Sequence, residues 1–131
     1  MNFKLSTKEK FHEIDINEDN LTANLAGDFY ETIASFLEKE PFNTILLFTN
    51  VNQIDEATAH HLKELHELFY TNEQSFVLTE ISKNVLDTLI SANIADELNI
   101  TPTLSEAWDM VQMEEVEREL LRDFDDDATE Q

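Results

Sequence analysis

The apolar positions of this chain change period several times, and each change predicts an element. From Asn2 to Thr7, Phe3 and Leu5 alternate with Lys4 and Ser6, the pattern of a half-buried strand. Phe11 to Ile16 alternates again, with His12, Ile14 and Ile16 on one face and Glu13 and Asp15 on the other; Phe11 breaks that parity. The two segments predict a hairpin at one edge of a sheet. His12, on the apolar side, reads as a packed or rim histidine rather than a ligand. Leu21 to Asn24 predicts a short extended piece. From Leu25 the spacing becomes helical through Phe29, Ile33, Phe36 and Leu37, and Pro41 stops the helix by excluding α geometry from the residue before it.

The stretch from Thr44 to Leu68 is the centre of the pattern. Ile45-Leu46-Leu47-Phe48 is a continuous apolar run, which predicts a strand buried on both faces. Asn50, Asn52 and Gln53 return the chain to the surface. Asp55 is a predicted N-cap, its carboxylate placed to accept a backbone N–H two or three residues on. Leu62, Leu65, Leu68 and Phe69 then form one helical stripe.

Phe76, Val77 and Leu78 predict another buried strand, and Ser82 caps a helix carrying Val85, Leu86, Leu89 and Ile90. Asn93 suits the left-handed residue that closes such a helix. Leu98 and Ile100 support a short edge strand at most. Thr103 and Glu106 form a capping box before a helix whose core face is Leu104, Ala107, Trp108 and Val111. Strands alternating with helices predict an α/β fold, a sheet covered by its crossover helices.

The C-terminal pattern does not fit a single packed helix. Met113, Val116, Leu120 and Phe124 keep helical spacing, but at about 100° per residue they fall opposite the earlier core face. Either the helix bends near residues 110–113 and folds back, or the second stripe meets a partner or a second copy of the chain. The expected organisation is a domain over residues 1–112, an amphipathic helical extension over 113–124 that can be cut away without unfolding the domain, and an acidic disordered tail over 125–131.

Composition narrows the function. With 131 residues and 41% hydrophobic positions, the chain supplies one core. One Gly and two Pro argue against a turn-rich all-β fold, and the absence of Cys removes disulfides, thiol catalysis and Cys-ligated zinc. No signal-peptide pattern and no apolar run near the ~20 residues of a membrane span are present, which places the expected protein in the cytoplasm. A formal charge of −21, from 29 acidic and 8 basic residues, repels nucleic-acid phosphates and anionic lipid and favours a basic partner surface.

Catalytic chemistry is poorly supplied. A single Gly cannot build a phosphate-cradling loop. His60, His61 and His66 lie among Glu64 and Glu67, but only His60 and Glu64 have simple one-turn spacing and no His-Glu-x-x-His pattern exists. The expectation is no metal, no cofactor and no enzyme activity.

Asn50-Val51-Asn52-Gln53-Ile54-Asp55-Glu56-Ala57-Thr58 resembles the signature of STAS domains, found in anti-sigma-factor antagonists and in sulfate-transporter tails. In that family a strand leads to an Asp-Ser-Ser-Gly-like loop opening a helix, and a partner kinase phosphorylates the second serine. Here Asp55 is kept, Glu56 and Ala57 stand where the serines would be, and Thr58 takes the glycine position. The run from Ser82 through Asn93 and Leu98 to Pro102-Thr103-Leu104-Ser105-Glu106-Ala107 is similar to the family's C-terminal half, so the likeness covers about residues 2–112.

The resemblance implies a mixed four- to five-stranded sheet covered by about four helices. It implies a docking surface for an anti-sigma or kinase-type partner at Asn52, Asp55, Glu56, Ala57, Thr58 and Ala59. The usual off-switch should be absent, because Ala57 cannot accept phosphate. The expected protein is a non-enzymatic binding module, antagonist-like or a regulatory scaffold. The alternative is an accessory subunit of a bacterial membrane transporter, and the stripe at Met113, Val116, Leu120 and Phe124 adds a possible homodimer contact.

Overall fold

The structure, a computed structural model, describes residues 2–129, the side chains of 23, 24, 26 and 124–129 excepted. Its strands are β1 (Phe3–Thr7), β2 (His12–Ile16), β3 (Asn20–Leu21), β4 (Thr44–Leu47), β5 (Gln53–Ile54), β6 (Phe76–Thr79) and β7 (Ile100–Thr101). Its helices are α1 (Ala23–Ala34), α2 (Glu56–Thr71), α3 (Lys83–Ser91) and α4 (Leu104–Thr129). Five strands form one sheet in the order β1-β2-β4-β6-β7, and β3 pairs with β5 in a small second ladder. β1 is antiparallel to β2, as the hairpin pattern predicts, while β2, β4, β6 and β7 run parallel.

The topology decides where the helices go. The crossovers β2-to-β4, β4-to-β6 and β6-to-β7 all step in one direction across the sheet. Right-handed connections then set α1, α2 and α3 on the same face. That face holds the larger core, with Ile14, Ile33, Leu46, Leu62, Phe69, Phe76 and Leu89 among its buried members. The opposite face is left to α4, over a smaller cluster of Phe11, Ile45, Val77, Ala107 and Val111. The run Ile45-Leu46-Leu47 is continuously apolar because its residues feed both sides in turn. Phe11 departs from the β2 parity for the same reason: it belongs to the face under α4, and its ring lies 5.6 Å from that of Trp108.

Several expectations shift. Leu5 is exposed (44%) on its edge strand, and Ile90 is exposed (55%) on α3, so neither belongs to the core. The first helix ends at Ala34 and tightens into a 3₁₀ turn over Ser35–Glu38 before Pro41 is reached. His12 is packed as expected: buried, it bonds Thr7 Oγ1 (3.0 Å) and the Lys39 carbonyl (3.3 Å), with its ring edge-on to Phe36. Asn93 takes φ 60°, and the bonds Ile94 N to Leu89 O and Asn93 N to Ile90 O close α3 as a left-handed cap.

α4 does not break at 110–113 and fold back; it is one continuous helix of 26 residues. Its start accepts help from two residues. Thr103 Oγ1 accepts the Glu106 N–H (3.3 Å), and Glu80, itself in left-handed backbone geometry (φ 59°), reaches over to accept the Leu104 N–H (3.2 Å). Further along, polar side chains pin it. Asn43, buried just before β4, donates to the Lys10 carbonyl (2.9 Å) and Glu115 Oε1 (2.6 Å). Its own oxygen accepts from the Ser75 N–H (2.8 Å) and Arg118 (3.1 Å). Arg118 also reaches Ser75 Oγ at 3.0 Å.

Tyr70, at the end of α2, donates to Glu114 (2.7 Å) and accepts from Asn99 (2.5 Å). Burial, reinforced by the Glu114 carboxylate, holds the Tyr70 phenol above its ordinary pKa, so it stays a neutral donor. A chain cut after Gln112 loses the contacts that Glu114, Glu115 and Arg118 make with Tyr70, Asn43 and Ser75. The expected tail over 125–131 and the side chain of Phe124 lie outside the described side chains.

Candidate functional site

The parallel strands deliver their loops to one end of the sheet, and there the chain builds a braced corner. After β4 the backbone turns through the bond Val51 N to Phe48 O (3.0 Å), with Val51 buried beneath it. Asn52 N and Gln53 N both donate to the Asp19 carbonyl, at 2.8 and 3.1 Å. β5 therefore lies parallel to β3, a ladder of two residues that the polar sequence Asn52-Gln53 does not announce. Asn52 also ties the corner to α3. Its carbonyl accepts from Ser82 Oγ (3.3 Å), while its side-chain oxygen accepts from Asn84 (3.5 Å). Ser82 Oγ in turn accepts the Val85 N–H (3.2 Å), the cap expected there.

Asp55 caps α2 as predicted. Its Oδ1 accepts the Thr58 N–H at 2.9 Å, and also the Thr58 hydroxyl at 2.8 Å. The Thr58 hydroxyl lies 3.0 Å from the Leu21 carbonyl as well, so one side chain joins the cap to β3. This geometry divides the six residues singled out from the sequence. Asn52, Glu56 and Ala57 are exposed and Asp55 is half-buried, forming one continuous rim. Thr58 and Ala59 are wholly buried, at 0% exposure each, and present no side-chain surface to a partner. They position the rim from below.

The corner is acidic. Asp19, Asp55 and Glu56 border it, and His60 sits 3.6 Å from Glu56 across one helical turn. Among the described residues, no three His, Cys, Asp or Glu side chains converge as a metal site. His66, farther along α2, stacks on Tyr70 (4.5 Å) and is held below its ordinary pKa by burial, against the opposing pull of Glu114, Glu67 and Glu97. No helix among the described residues is long and apolar enough to cross a membrane.

A mixed sheet with three helices on one face, and an N-capped helix rising from the strand ends, defines a class of small α/β domains that present a loop-and-helix corner. The STAS-domain family model matches residues 10–107, and the chain belongs to that family. No curated protein sequence matches it significantly.

Solved structures share its fold. An anti-sigma-factor antagonist domain protein from Planctomyces limnophilus is 13% identical over 84% of this chain and 97% of its own, with a TM-score of 0.73. The anti-sigma factor antagonist SpoIIAA of Bacillus, in its unphosphorylated form, is 13% identical over 85% of this chain and 96% of its own, with a TM-score of 0.67. The murine Solute Carrier 26 family member A9 anion transporter, inward-facing, is 14% identical over 82% of this chain but only 18% of its own, with a TM-score of 0.70.

Proposed function

We propose that this chain is a non-enzymatic, cytoplasmic protein-binding STAS module, anti-sigma-factor antagonist-like or a regulatory scaffold, that phosphorylation at the family's usual position does not switch. One observation carries the reading. Ala57 is exposed but has no hydroxyl, and Thr58 has a hydroxyl but is fully buried and bonded to Asp55 and Leu21. SpoIIAA has been solved in phosphorylated and unphosphorylated forms. At the family's usual position the corner here offers no exposed hydroxyl to receive the group. Glu56 supplies a fixed charge beside Ala57 but not the three acceptor oxygens of a phosphate.

The docking surface is the rim of Asn52, Asp55, Glu56 and Ala57, and its acidity selects a partner with a basic face. The outward side chains of Met113, Val116 and Leu120 form a second association surface.

The test is incubation of the wild type and the Ala57→Ser variant with an anti-sigma-factor kinase from the native cell, read by intact mass. Phosphate on the variant alone is the expected result. Phosphate on Thr58 of the wild type overturns the reading, since it requires the cap to open.

The likeness to a domain of an anion transporter favours one further reading, an accessory subunit of a membrane transporter. Co-purification with a transporter from detergent-solubilised membranes, undiminished by Glu56→Lys, would select it. Capture of an anti-sigma factor that Glu56→Lys weakens selects the first.

A further inference from the structure

The second stripe on α4 is unpartnered. Met113, Val116, Leu120 and Leu121 are 62%, 54%, 55% and 63% exposed on a helix whose opposite side is docked. Length explains why. At about 1.5 Å per residue, Leu104 to Arg118 spans roughly 21 Å, whereas strands of four or five residues cover roughly 13–17 Å. The helix has therefore run the length of the sheet by the turn that holds Arg118, and Leu120 and Leu121 belong to the part that overshoots it. A rod of this kind can take a partner along its side without collision with the body of the domain.

Charge says which partner. α4 carries ten acidic residues and two basic ones. Both basic residues lie on the docked side: Arg118 is held by Asn43 and Ser75, and Arg122, one turn on, lines the cleft beside Asn43 and Phe42. The rim of the apolar stripe is acidic, with Asp109 and Glu117 against Met113 and Val116, and Glu106 and Asp123 beyond. A second copy would set acidic rim against acidic rim, between chains of formal charge −21 each. An anionic membrane meets the same repulsion. Met113 also separates two shallow depressions, one toward Val116 and one toward Ile100 and Pro102, which suit side chains spaced along a helix.

We infer that the outward stripe of α4, through Met113, Val116 and Leu120, docks a basic amphipathic helix of another protein. This names the partner of the second association surface and rests on that part of the proposed function, while the surface itself is separate from the corner at the start of α2 and does not depend on how that corner is used.

The test uses the full chain and three synthetic peptides of equal length. One is a Leu/Lys peptide with leucines at helical spacing, one is the same composition scrambled, and one is a Leu/Glu peptide with the helical spacing kept. Titration calorimetry should show binding of the first alone, weakening as salt rises. The double variant Val116→Asn, Leu120→Asn, with unchanged circular dichroism, should bind at least about tenfold more weakly, the loss expected when two aliphatic anchors go. Because both positions are exposed, folding is not at risk. Equal binding of the scrambled peptide overturns the inference, since attraction then needs no stripe. A dimeric mass by light scattering that the double variant abolishes also overturns it, by making a second copy the occupant.

Discussion

The two faces of the sheet are held in different ways. Under α1, α2 and α3, apolar area does most of the holding: Phe69 is fully buried with its ring 5.0 Å from that of Phe76, and the buried polar side chains His12 and Thr58 are hydrogen-bonded. Under α4 the buried cluster among the described residues is five apolar side chains, and Trp108 at the margin remains 37% exposed, its indole N–H donating to Glu13 at 3.0 Å. The single helix is fastened by polar brackets instead, at Glu80, Asn43 with Arg118, and Tyr70 with Glu114. A helix held at a few points by directed bonds can be longer than the surface it covers. A helix held by area has its length set by the core. That difference leaves α4 with an outer stripe free for another use.

Like substitutions on the two faces test the contrast most sharply. Phe69→Ala should lower unfolding stability by about 3–5 kcal/mol, the range for a large buried aromatic whose cavity cannot collapse. Phe11→Ala, under Trp108, should fall below about 3 kcal/mol, because the half-exposed indole can settle into the space. Urea titration of both gives the comparison, and equal losses would contradict it.

Asn43→Ala addresses the brackets. It strands the buried Ser75 N–H and removes the contacts to Glu115 and Arg118, for a loss of roughly 2–3 kcal/mol. Amide exchange should accelerate in α4 beyond Val111 while α2 keeps its protection. A uniform change across both helices would mean that the bracket stabilises the whole fold rather than α4.

The smallest effect concerns pH. His66 is below its ordinary pKa in the fold, so above about 6.5 it is neutral folded and unfolded and adds no pH dependence. As pH falls past that value the unfolded chain takes up the proton first, and stability drops. His66→Gln should lose this component, giving a smaller difference between urea midpoints at about pH 7.5 and about pH 5.5 than the wild type shows. Identical differences would remove His66 as a source of acid sensitivity.

Much of this was legible in the chain. Alternation in residues 3–7 and 12–16, the apolar run at Ile45, the caps at Asp55 and Ser82 and the left-handed Asn93 are local signals, and local geometry obeyed them. The corner at the start of α2 was legible only in part. Ala57 as a residue without a hydroxyl is plain from the sequence, but the burial of Thr58 depends on the carbonyl of Leu21, thirty-seven positions away. The β3–β5 ladder is hidden for the same reason: two residues from each strand pair across more than thirty positions, and the Asp19 carbonyl that accepts from Asn52 and Gln53 gives no local signal.

The order of elements, the α/β class and the presence of two apolar stripes on the last helix were determined by the sequence alone, because period and capping are properties of neighbours along the chain. That α4 stays one continuous helix, how far past the sheet it runs, and which hydroxyl at the corner is out of reach were decided only by tertiary structure. Those outcomes rest on Asn43, Glu80 and Leu21 meeting residues far off in the chain, and no local pattern encodes such meetings.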